Sequence, residues 1–477
     1  PRLRRNIVYQ FLYELLIVFI PLFTIPYVSR VLGAENIGLF SYTYAVANYF
    51  VLFANLGIKN YGSRTIAMVR NNKEELNRNF SEILSIHIIF SIIVIFVYLV
   101  LLFFFVEDNL VIFLIQSIYV FAAVFDINWF FFGIEKFKLT VGRNTLVKIL
   151  SVFLVLVFVK TQTDLWIYAL ILALSVFVGQ SVVWFALKQY VSWRRPSWAN
   201  MKQHIRPLFV LFLPILALSL YKYMDKIMLG SISSNVQVGF YENAEKIINV
   251  PMSLIMAFGV VLMPRIANMV TSKDKGEVFK LIDMSMEAVM LLAIAISFGL
   301  AGISFVLAPI FFGYEFEECG ILIMGLAVTV PFMAFANVIR TQYLIPYKED
   351  KIFVVSLFLG AAVNLIVNII LIPYMAARGA VIGTIFAEII VCIYQSYFVR
   401  KKIFIKKYLL NTIPPILIGI VMFVFVFQIG NVMNINIVTL ILQLLVGMFI
   451  YAVGVFLLML KSRTRLMVLL RKFVVRY

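Results

Sequence analysis

The chain has 477 residues, of which 63% are hydrophobic and 13% are charged, against about 45–50% and about 25% in soluble domains. A globular protein this apolar could not cover its surface with polar groups, so the composition excludes a soluble protein and predicts that lipid is its main solvent. The net charge of +18 would favour a nucleic-acid partner in a soluble protein. In a membrane protein, the distribution of positive charge along the chain mainly indicates which loops face the cytoplasm. We therefore expect no nucleic-acid partner.

Fourteen runs of the chain are long and apolar enough to cross the hydrocarbon core as helices, which takes about 20 residues each. They lie near residues 6–29, 37–58, 80–105, 110–133, 144–160, 165–187, 207–230, 238–262, 287–312, 321–344, 352–373, 379–399, 410–428 and 437–460. Because backbone groups in lipid must be bonded internally, runs of this length predict helices. The predicted fold class is an all-α, polytopic membrane protein with about 14 transmembrane helices.

The lysines and arginines fall on alternate loops. If the N-terminus is cytoplasmic, 33 of the 41 lie in the N-terminal segment, in every second loop and in the C-terminal tail. The loops on the other side carry only Arg30, Lys160 and Arg378. The positive-inside rule therefore predicts that both termini face the cytoplasm.

Two stretches of the chain share one pattern. Gly38 and Arg64 are 26 residues apart, and so are Gly239 and Arg265. With the span count, this predicts two lobes of six helices with two further helices appended, an organisation typical of alternating-access carriers whose site lies where the repeats meet. The predicted divisions are a first lobe at 1–187, a cytoplasmic linker at 188–206, a second lobe at 207–399, and the last two spans with a basic cytoplasmic tail at 400–477.

Four stretches carry a family resemblance. They are Pro21-Leu-Phe-Thr-Ile-Pro-Tyr-Val-Ser-Arg-Val-Leu-Gly33, Trp129-Phe-Phe-Phe-Gly-Ile-Glu-Lys136, Asp225 to Gly230, and Val238-Gly-Phe-Tyr241. They resemble polysaccharide flippases of the Wzx type, members of the MOP, or MATE-like, superfamily. The resemblance implies a V-shaped, two-lobed carrier that moves an undecaprenyl-diphosphate-linked oligosaccharide from the inner to the outer leaflet. The first span carries Glu14, where lipid II flippases of the same superfamily have arginines, so their substrate contacts are not carried over.

The densest group of charges inside the spans lies on spans seven and eight. It consists of Lys222, Asp225 and Lys226, then Glu242, Glu245 and Lys246. In each set, the spacing places the three residues on one face of a helix. The turn between the two helices is short, which predicts that the two faces lie side by side. Two interpretations stay open. In the first, the charges form a salt-bridge network that stabilises the helical hairpin, although desolvation offsets much of the Coulomb gain. In the second, they form a switch. In the switch, the lysines bind phosphate or acidic sugar while Asp225 takes up H⁺ or Na⁺.

Single polar residues in other spans complete the predicted site. The predicted substrate-binding residues are Lys222, Lys226, Lys246, Arg340, Asn48 and Asn364, and the predicted ion-coupling residues are Asp225, Glu14, Asp126 and Glu388. A charge at mid-bilayer costs about 2.5–3.5 kcal/mol, so each needs an internal partner or a function. Hydrogen bonding between helices is the competing explanation for the asparagines, and extension to the membrane interface is the competing explanation for Arg340.

The predicted function is the flipping of lipid-linked oligosaccharide for polysaccharide export of the capsule or O-antigen type, in the inner or plasma membrane of a bacterium. The expected partners are that substrate, the bilayer and a polysaccharide polymerase or synthesis machinery. No catalysis, cofactor or metal is expected, since two cysteines and two histidines leave little for a metal centre, and H⁺ or Na⁺ is the candidate coupling ion. No phosphate-loop motif for ATP occurs in the sequence.

Two other classes were weighed against a flippase. A MATE-like, ion-coupled multidrug exporter would have the same architecture but would favour an acidic or apolar cavity over one with three lysines. A membrane-bound polymerase or ligase would need a large outer loop with catalytic residues. The outer loops are all about ten residues or fewer, which argues against it.

Overall fold

The computed structural model describes residues 2–271, 275–461 and 466, and the side chains from residue 23 onward other than those of 137, 138, 221, 271 and 275. All regular secondary structure in these residues is helical, and no strand occurs among them. The predicted all-α class is therefore confirmed.

The chain divides into two compact units, Pro1–Gly230 and Ser231–Tyr477. The helices of the first unit are α1 Arg2–Asn55, α2 Ile58–Val69, α3 Lys73–Phe105, α4 Leu110–Val124, α5 Asn128–Gly133, α6 Phe137–Phe158, α7 Leu165–Leu187 and α8 Trp198–Ile232. A 3₁₀ turn, Gln162–Asp164, leads into α7. The last helix, α8, runs two residues past the division.

The helices of the second unit include the last two predicted spans. They are α9 Asn235–Thr271, α10 Lys275–Phe312, α11 Cys319–Ala327, α12 Thr329–Ile339, α13 Asp350–Val399, α14 Ile405–Val432 and α15 Ile437–Lys461. A 3₁₀ turn, Tyr314–Phe316, precedes α11, and a π-helical turn, Arg340–Leu344, follows α12.

Twelve segments of the described residues are long and apolar enough to cross a membrane, judged by length and composition. Two of the long helices, α1 and α13, contain a break in their backbone. The backbone leaves the helical region at Gly33 in α1 (φ 76°, ψ 172°) and at Ala376 in α13 (φ 48°, ψ −127°). Each break separates two of the predicted spans, so all fourteen runs correspond to described helices. Gly33 suits its break because a residue without Cβ reaches positive φ at no steric cost.

The contacts divide the chain at Gly230, whereas the sequence places the lobe boundary in the 188–206 linker. The reason is close packing of α8 on the first unit. A Cβ added to Gly57 would come within 2.9 Å of the Leu208 carbonyl oxygen and of the Phe212 nitrogen, and one added to Gly230 would lie 2.3 Å from the Tyr42 ring. Both ends of α8 thus touch helices of the first unit. The four-part division remains a prediction.

A buried apolar cluster, here called the basal cluster, joins α2, α3, α5, α7 and the first turns of α8. Its members include Ile58, Ile66, Phe80, Ile83, Trp129, Phe130, Leu187, Met201 and Leu208. The Phe80 and Trp129 rings stack with centroids 5.6 Å apart. The cluster fixes the start of α8 against the beginning of α3.

Two predicted spans differ from the continuous helices expected of them. The run at 110–133 is divided between α4 and α5, and the run at 321–344 is divided between α11, α12 and the π-helical turn. Hydropathy reports how long an apolar run is but not where polar side chains interrupt its backbone hydrogen bonds. The polar residues at these two interruptions are part of the candidate site.

Candidate functional site

In the first unit, the charged face of α8 combines buried and exposed groups. Asp225 and Lys226 are 4% and 7% exposed. Lys222 is exposed, and its ammonium nitrogen lies 5.2 Å from the centroid of the Tyr223 ring. A lysine above an aromatic face is held without an opposite charge.

Tyrosines of α1 connect that helix to α8. The Tyr49 hydroxyl donates to the Ser219 carbonyl oxygen at 3.4 Å, and the Tyr49 and Tyr223 rings lie 5.9 Å apart at a steep angle. These contacts place an aromatic wall beside the lysines. Rings that are polar at one end offer a flat apolar surface together with a hydroxyl group.

Tyr44 and Asn48 lie one turn apart on α1. Tyr44 interacts electrostatically with Lys222 and Lys226, and its ring meets that of Tyr119 edge-on at 5.1 Å. The Asn48 amide donates to the Tyr44 carbonyl oxygen at 2.8 Å, so that donor is used within its own helix. Asn48, a predicted substrate-binding residue, thus lies one turn from the tyrosine that interacts with the lysines.

Sequence reasoning missed Tyr49 and Tyr119 as parts of this wall. Both lie in apolar runs where a tyrosine is equally well explained by an interfacial aromatic belt. The approach of α1 to α8 depends on tertiary packing, which no spacing rule encodes.

In the second unit, each predicted cation has a neutral or acidic partner. The Lys246 ammonium lies 3.1 Å from Glu242 Oε1, one turn earlier on α9. Arg340 Nη2 donates to Asn337 Oδ1 at 2.8 Å, and the guanidinium carbon lies 5.3 Å from the Phe353 ring centroid. These cations are held in place by groups of their own unit.

The two halves of α13 bring further predicted residues together. Glu388 is 6% exposed and interacts electrostatically with Arg340. Asn364 is 5% exposed, and its Oδ1 accepts a hydrogen bond from Asn368 Nδ2 at 3.2 Å. A Cβ on Gly383 would lie 2.1 Å from the Asn368 side chain, so a larger residue here would have to displace that side chain.

Asp126 marks the interruption between α4 and α5. Its Oδ1 accepts from the Asn128 backbone N–H at 3.0 Å and from Asn128 Nδ2 at 2.6 Å. Asn128 Nδ2 also donates to Gln180 Oε1 at 2.8 Å, and Asn128 Oδ1 accepts from Arg143 Nη2 at 3.0 Å. Asp126 therefore bonds to the first residue of α5 and begins a network that reaches α6 and α7.

The π-helical turn that begins at Arg340 is the other interruption. The Thr341 hydroxyl donates to the Asn337 carbonyl oxygen at 2.7 Å, and Gln342 Nε2 donates to Ser285 Oγ. Asn337 Nδ2 and Gln342 Oε1 are buried without a hydrogen-bond partner among the described residues. A single π-helical turn within a span frequently occurs at a functional site.

The structure leaves part of the predicted site open. The Glu14 side chain lies outside the described residues. The six charges of spans seven and eight are divided, with Lys222, Asp225 and Lys226 in the first unit and Glu242, Glu245 and Lys246 in the second. Their pairing as one hairpin stays a prediction. No group of three or more histidine, cysteine, aspartate or glutamate residues that could hold a metal occurs in the described part of the chain.

An apolar cavity of about 860 Å³ opens along α10, α14 and α15. Its walls include Ile296, Ile303, Met422, Leu444, Met448 and Val455. The polar lining residues bond to backbone, since Gln443 Nε2 donates to the Val426 carbonyl oxygen at 2.9 Å and the Tyr451 hydroxyl to that of Leu291 at 2.7 Å. The walls therefore present an environment suited to hydrocarbon.

This chain combines long apolar helices with buried charged and amide side chains, a combination typical of polytopic membrane transporters. The chain belongs to the polysaccharide biosynthesis protein family, whose profile matches residues 3–270. A putative O-antigen transporter of Shigella dysenteriae is 24% identical over 408 residues, covering 82% of this chain and 99% of the relative. The predicted resemblance to Wzx-type flippases is thereby confirmed.

Solved structures share the fold. The lipid II flippase MurJ in an inward closed conformation aligns with a TM-score of 0.73 at 16% identity, covering 94% of this chain and 97% of the other. An inward-facing multidrug resistance MATE family transporter of the MOP superfamily aligns with a TM-score of 0.62 at 14% identity, covering 82% and 97%. At these identities the likeness concerns the fold.

Proposed function

We propose that the chain flips undecaprenyl-diphosphate-linked oligosaccharide from the inner to the outer leaflet by alternating access, for polysaccharide export. The family supports this proposal, as does the relative that is named a putative O-antigen transporter. The observation that carries it is the α8 face, where Lys222 and Lys226 lie beside the tyrosine wall of α1. Cations next to flat polar rings match a phosphate-bearing sugar head group.

The diphosphate would bind the lysines of α8. Lys226 is buried, and an anionic ligand beside it would stabilise its ammonium group in surroundings with little water. Lys222 is exposed and lies over Tyr223, where it can bind a phosphate oxygen without first breaking an ion pair. The rings of Tyr44, Tyr49 and Tyr223 would pack against sugar faces, with Asn48 one turn away for hydroxyl groups.

The second unit carries further residues that the sequence predicts for substrate binding. Lys246 is paired with Glu242, and Arg340 is bonded to Asn337. A phosphate group would replace that partner, so the cation would keep a bonded neighbour and the electrostatic cost of the exchange would be small. Asn364 would bind a sugar hydroxyl. Asp225, Asp126 and Glu388 are the described carboxylates proposed for ion coupling, with Glu14 as the fourth.

The prenyl tail would lie in the apolar cavity along α10, α14 and α15. The cavity has no charged lining residue, and burial of hydrocarbon is worth about 0.8 kcal/mol per CH₂ group. The head group and the tail would thus occupy separate surfaces. The proposed setting is the inner or plasma membrane of a bacterium, next to polysaccharide-synthesising enzymes, and the proposed role is transport without catalysis.

The test uses cells that lack their own polysaccharide flippase. Full-length chain and variants would be expressed, and exposure of lipid-linked oligosaccharide at the outer leaflet would be measured with wild type, Lys222→Ala and Lys226→Ala. A charge-assisted contact is worth about 1.5–3 kcal/mol, so we expect each variant to slow flipping about 10- to 100-fold. Lys280→Ala, on an exposed residue paired with Glu277, is the matched control.

Two outcomes would contradict the proposal. Normal flipping by well-expressed Lys222→Ala and Lys226→Ala would remove the head-group site from α8. Failure of well-expressed wild type to restore exposure, together with resistance of the cells to cationic drugs, would favour a MATE-like exporter on the shared fold.

A further inference from the structure

A short basic segment joins α13 to α14 in the second unit. After the end of α13 at Val399 the chain reads Arg400-Lys-Lys-Ile-Phe-Ile-Lys-Lys407, with five basic residues and no acidic one. This segment, here called the polybasic turn, lies on the side of the membrane that the charge distribution predicts to be cytoplasmic.

Contacts within the second unit hold the polybasic turn in place. The Ile403 backbone N–H donates to the Val399 carbonyl oxygen at 2.9 Å, and the Ile403 side chain is buried. The Lys407 ammonium lies 2.6 Å from Asp283 Oδ2 of α10. The Tyr408 hydroxyl donates to Oδ1 of the same carboxylate at 2.5 Å. The backbone from which the other basic side chains extend is therefore fixed at both ends.

The other four basic side chains of the turn are exposed. They are Arg400, Lys401, Lys402 and Lys406. In the part of the chain that the structure describes, none of the four forms an ion pair with a carboxylate, and Lys407 is the member of the turn that does. Four positive charges within seven residues are thus available to an anion from outside the chain.

Topology alone does not require cations without acidic neighbours. The positive-inside rule counts lysine and arginine, and nearby carboxylates contribute little to it. Other basic groups at the predicted cytoplasmic end do have such neighbours. Arg70 Nη1 lies 2.5 Å from Glu135 Oε1, and the buried His204 Nε2 lies 3.0 Å from Glu82 Oε2. The concentration of four exposed cations in one turn is therefore a feature of its own.

Arg400 is oriented by an aromatic ring. Its guanidinium carbon lies 3.5 Å from the centroid of the Tyr397 ring, in the last turn of α13. A guanidinium group that stacks through its face keeps its N–H donors in its own plane. Those donors match two oxygens of a phosphate group, so Arg400 is placed for a bidentate phosphate contact.

Apolar side chains continue directly from the cations. Phe404 is 76% exposed in the middle of the turn. Leu409, Ile413 and Leu417 of α14 are 48–59% exposed, and their spacing of four residues places them on one face of that helix. The surface changes from positive charge to hydrocarbon within a few turns of helix. A ligand that fits both parts has an anionic head and long apolar chains.

We propose that the polybasic turn and this face of α14 bind an anionic phospholipid of the cytoplasmic leaflet. The lipid phosphate contacts Arg400 and the neighbouring lysines, and the acyl chains lie along Leu409, Ile413 and Leu417. Clusters of basic residues next to a membrane span are known to bind anionic lipids of that leaflet. This site belongs to the second unit and does not depend on the substrate proposed to bind at α8.

Native mass spectrometry of the full chain in mild detergent measures this binding directly. The probes are phosphatidylglycerol and phosphatidylcholine with the same acyl chains. We expect Arg400→Gln or Lys402→Gln alone to weaken phosphatidylglycerol binding about fivefold, the equivalent of about 1 kcal/mol per basic residue. Replacement of all four exposed cations by glutamine should abolish the preference of the chain for phosphatidylglycerol over phosphatidylcholine.

The matched control removes the same charge elsewhere on the predicted cytoplasmic side. It replaces four exposed residues by glutamine, Lys188, Arg195, Lys202 and Arg206, and should keep the preference for phosphatidylglycerol. Equal weakening by both fourfold variants would mean that binding follows net charge, which overturns the site. Equal binding of the two lipids by wild type also overturns it. If the fourfold variant does not fold, the pairs Arg400/Lys401 and Lys402/Lys406 are replaced separately.

A photoactivatable phosphatidylglycerol with a diazirine group in its acyl chain gives the location. We expect crosslinks within residues 404–417, and crosslinks confined to other helices would overturn the assignment. Soluble glycerol phosphate has the same anionic group without acyl chains, so it separates a lipid site from a simple phosphate site. We expect it to bind far more weakly than the lipid. Equal affinity would remove the α14 face from the site.

Discussion

The interruptions in the fourth and tenth spans occupy corresponding places in the two predicted repeats but are built differently. At Asp126 the break is closed by hydrogen bonds, since Asn128 bonds to Asp126, Gln180 and Arg143. At Arg340 the π-helical turn keeps a cation together with buried amide atoms of Asn337 and Gln342 that have no partner in the described chain. At the first interruption, hydrogen bonds hold the ends of the helices in place. At the second, buried amide atoms without a partner remain for a ligand to bond.

The largest expected effect is at the π-helical turn. Arg340→Ala removes the cation proposed to bind phosphate, and loss of a charge-assisted contact worth about 1.5–3 kcal/mol should slow flipping about 10- to 100-fold. The measurement is oligosaccharide exposure at the outer leaflet in flippase-deficient cells. Arg378→Ala, on an exposed arginine paired with Glu318 at 3.2 Å, is the control. Equal rates for both variants would make the Arg340 turn a purely structural break.

An intermediate effect is expected at the closed break. Asp126→Ala removes the acceptor for the Asn128 backbone and side chain and should lower the free energy of unfolding by about 2 kcal/mol, measured as a lower unfolding temperature of the purified chain. Asp126→Asn keeps an oxygen acceptor but cannot exchange a proton. If Asp126 serves only as a hydrogen-bond acceptor at the start of α5, the asparagine variant flips normally. Full loss of flipping by a stable Asp126→Asn protein would instead support the ion-coupling role predicted from the sequence.

The smallest effect is expected for Gln342→Met. This substitution removes one hydrogen bond to Ser285 but also a buried carbonyl oxygen that has no partner. These contributions oppose each other, so the free energy of unfolding should change by less than about 1 kcal/mol. Asn128→Leu, which breaks several bonds at the closed interruption, should cost clearly more in the same thermal unfolding assay. Equal losses for the two variants would remove the distinction between the breaks.

Much of the fold could be predicted because lipid imposes a simple rule on long apolar runs. The break at Gly33 coincides with a predicted loop, and the one at Ala376 falls between two predicted spans. The interruption at Asp126 could not be predicted, since its hydrogen bonds involve Arg143 and Gln180 from other helices. The π-helical turn has no sequence signal, because it needs only one extra residue in a helix.

The site was less predictable than the fold. Spacing identified Lys222, Asp225 and Lys226 as one helix face, but it could not show that α1 would place Tyr49 beside them. Glu82 looks like a solvated charge near the beginning of a span, and His204 looks like a linker residue. Only the packing of α8 on α3 buries the two side chains together.

The cavity along α10, α14 and α15 also has a practical consequence for handling the purified protein. An open apolar surface of this size does not stay bare in an aqueous preparation, so detergent or membrane lipid should occupy it from the moment of extraction. Native mass spectrometry of gently solubilised protein should therefore show bound phospholipid, and harsh delipidation should shorten the protein's lifetime in solution. Amphiphiles with one long chain and a compact head are accordingly the chemical class to screen first for inhibitors.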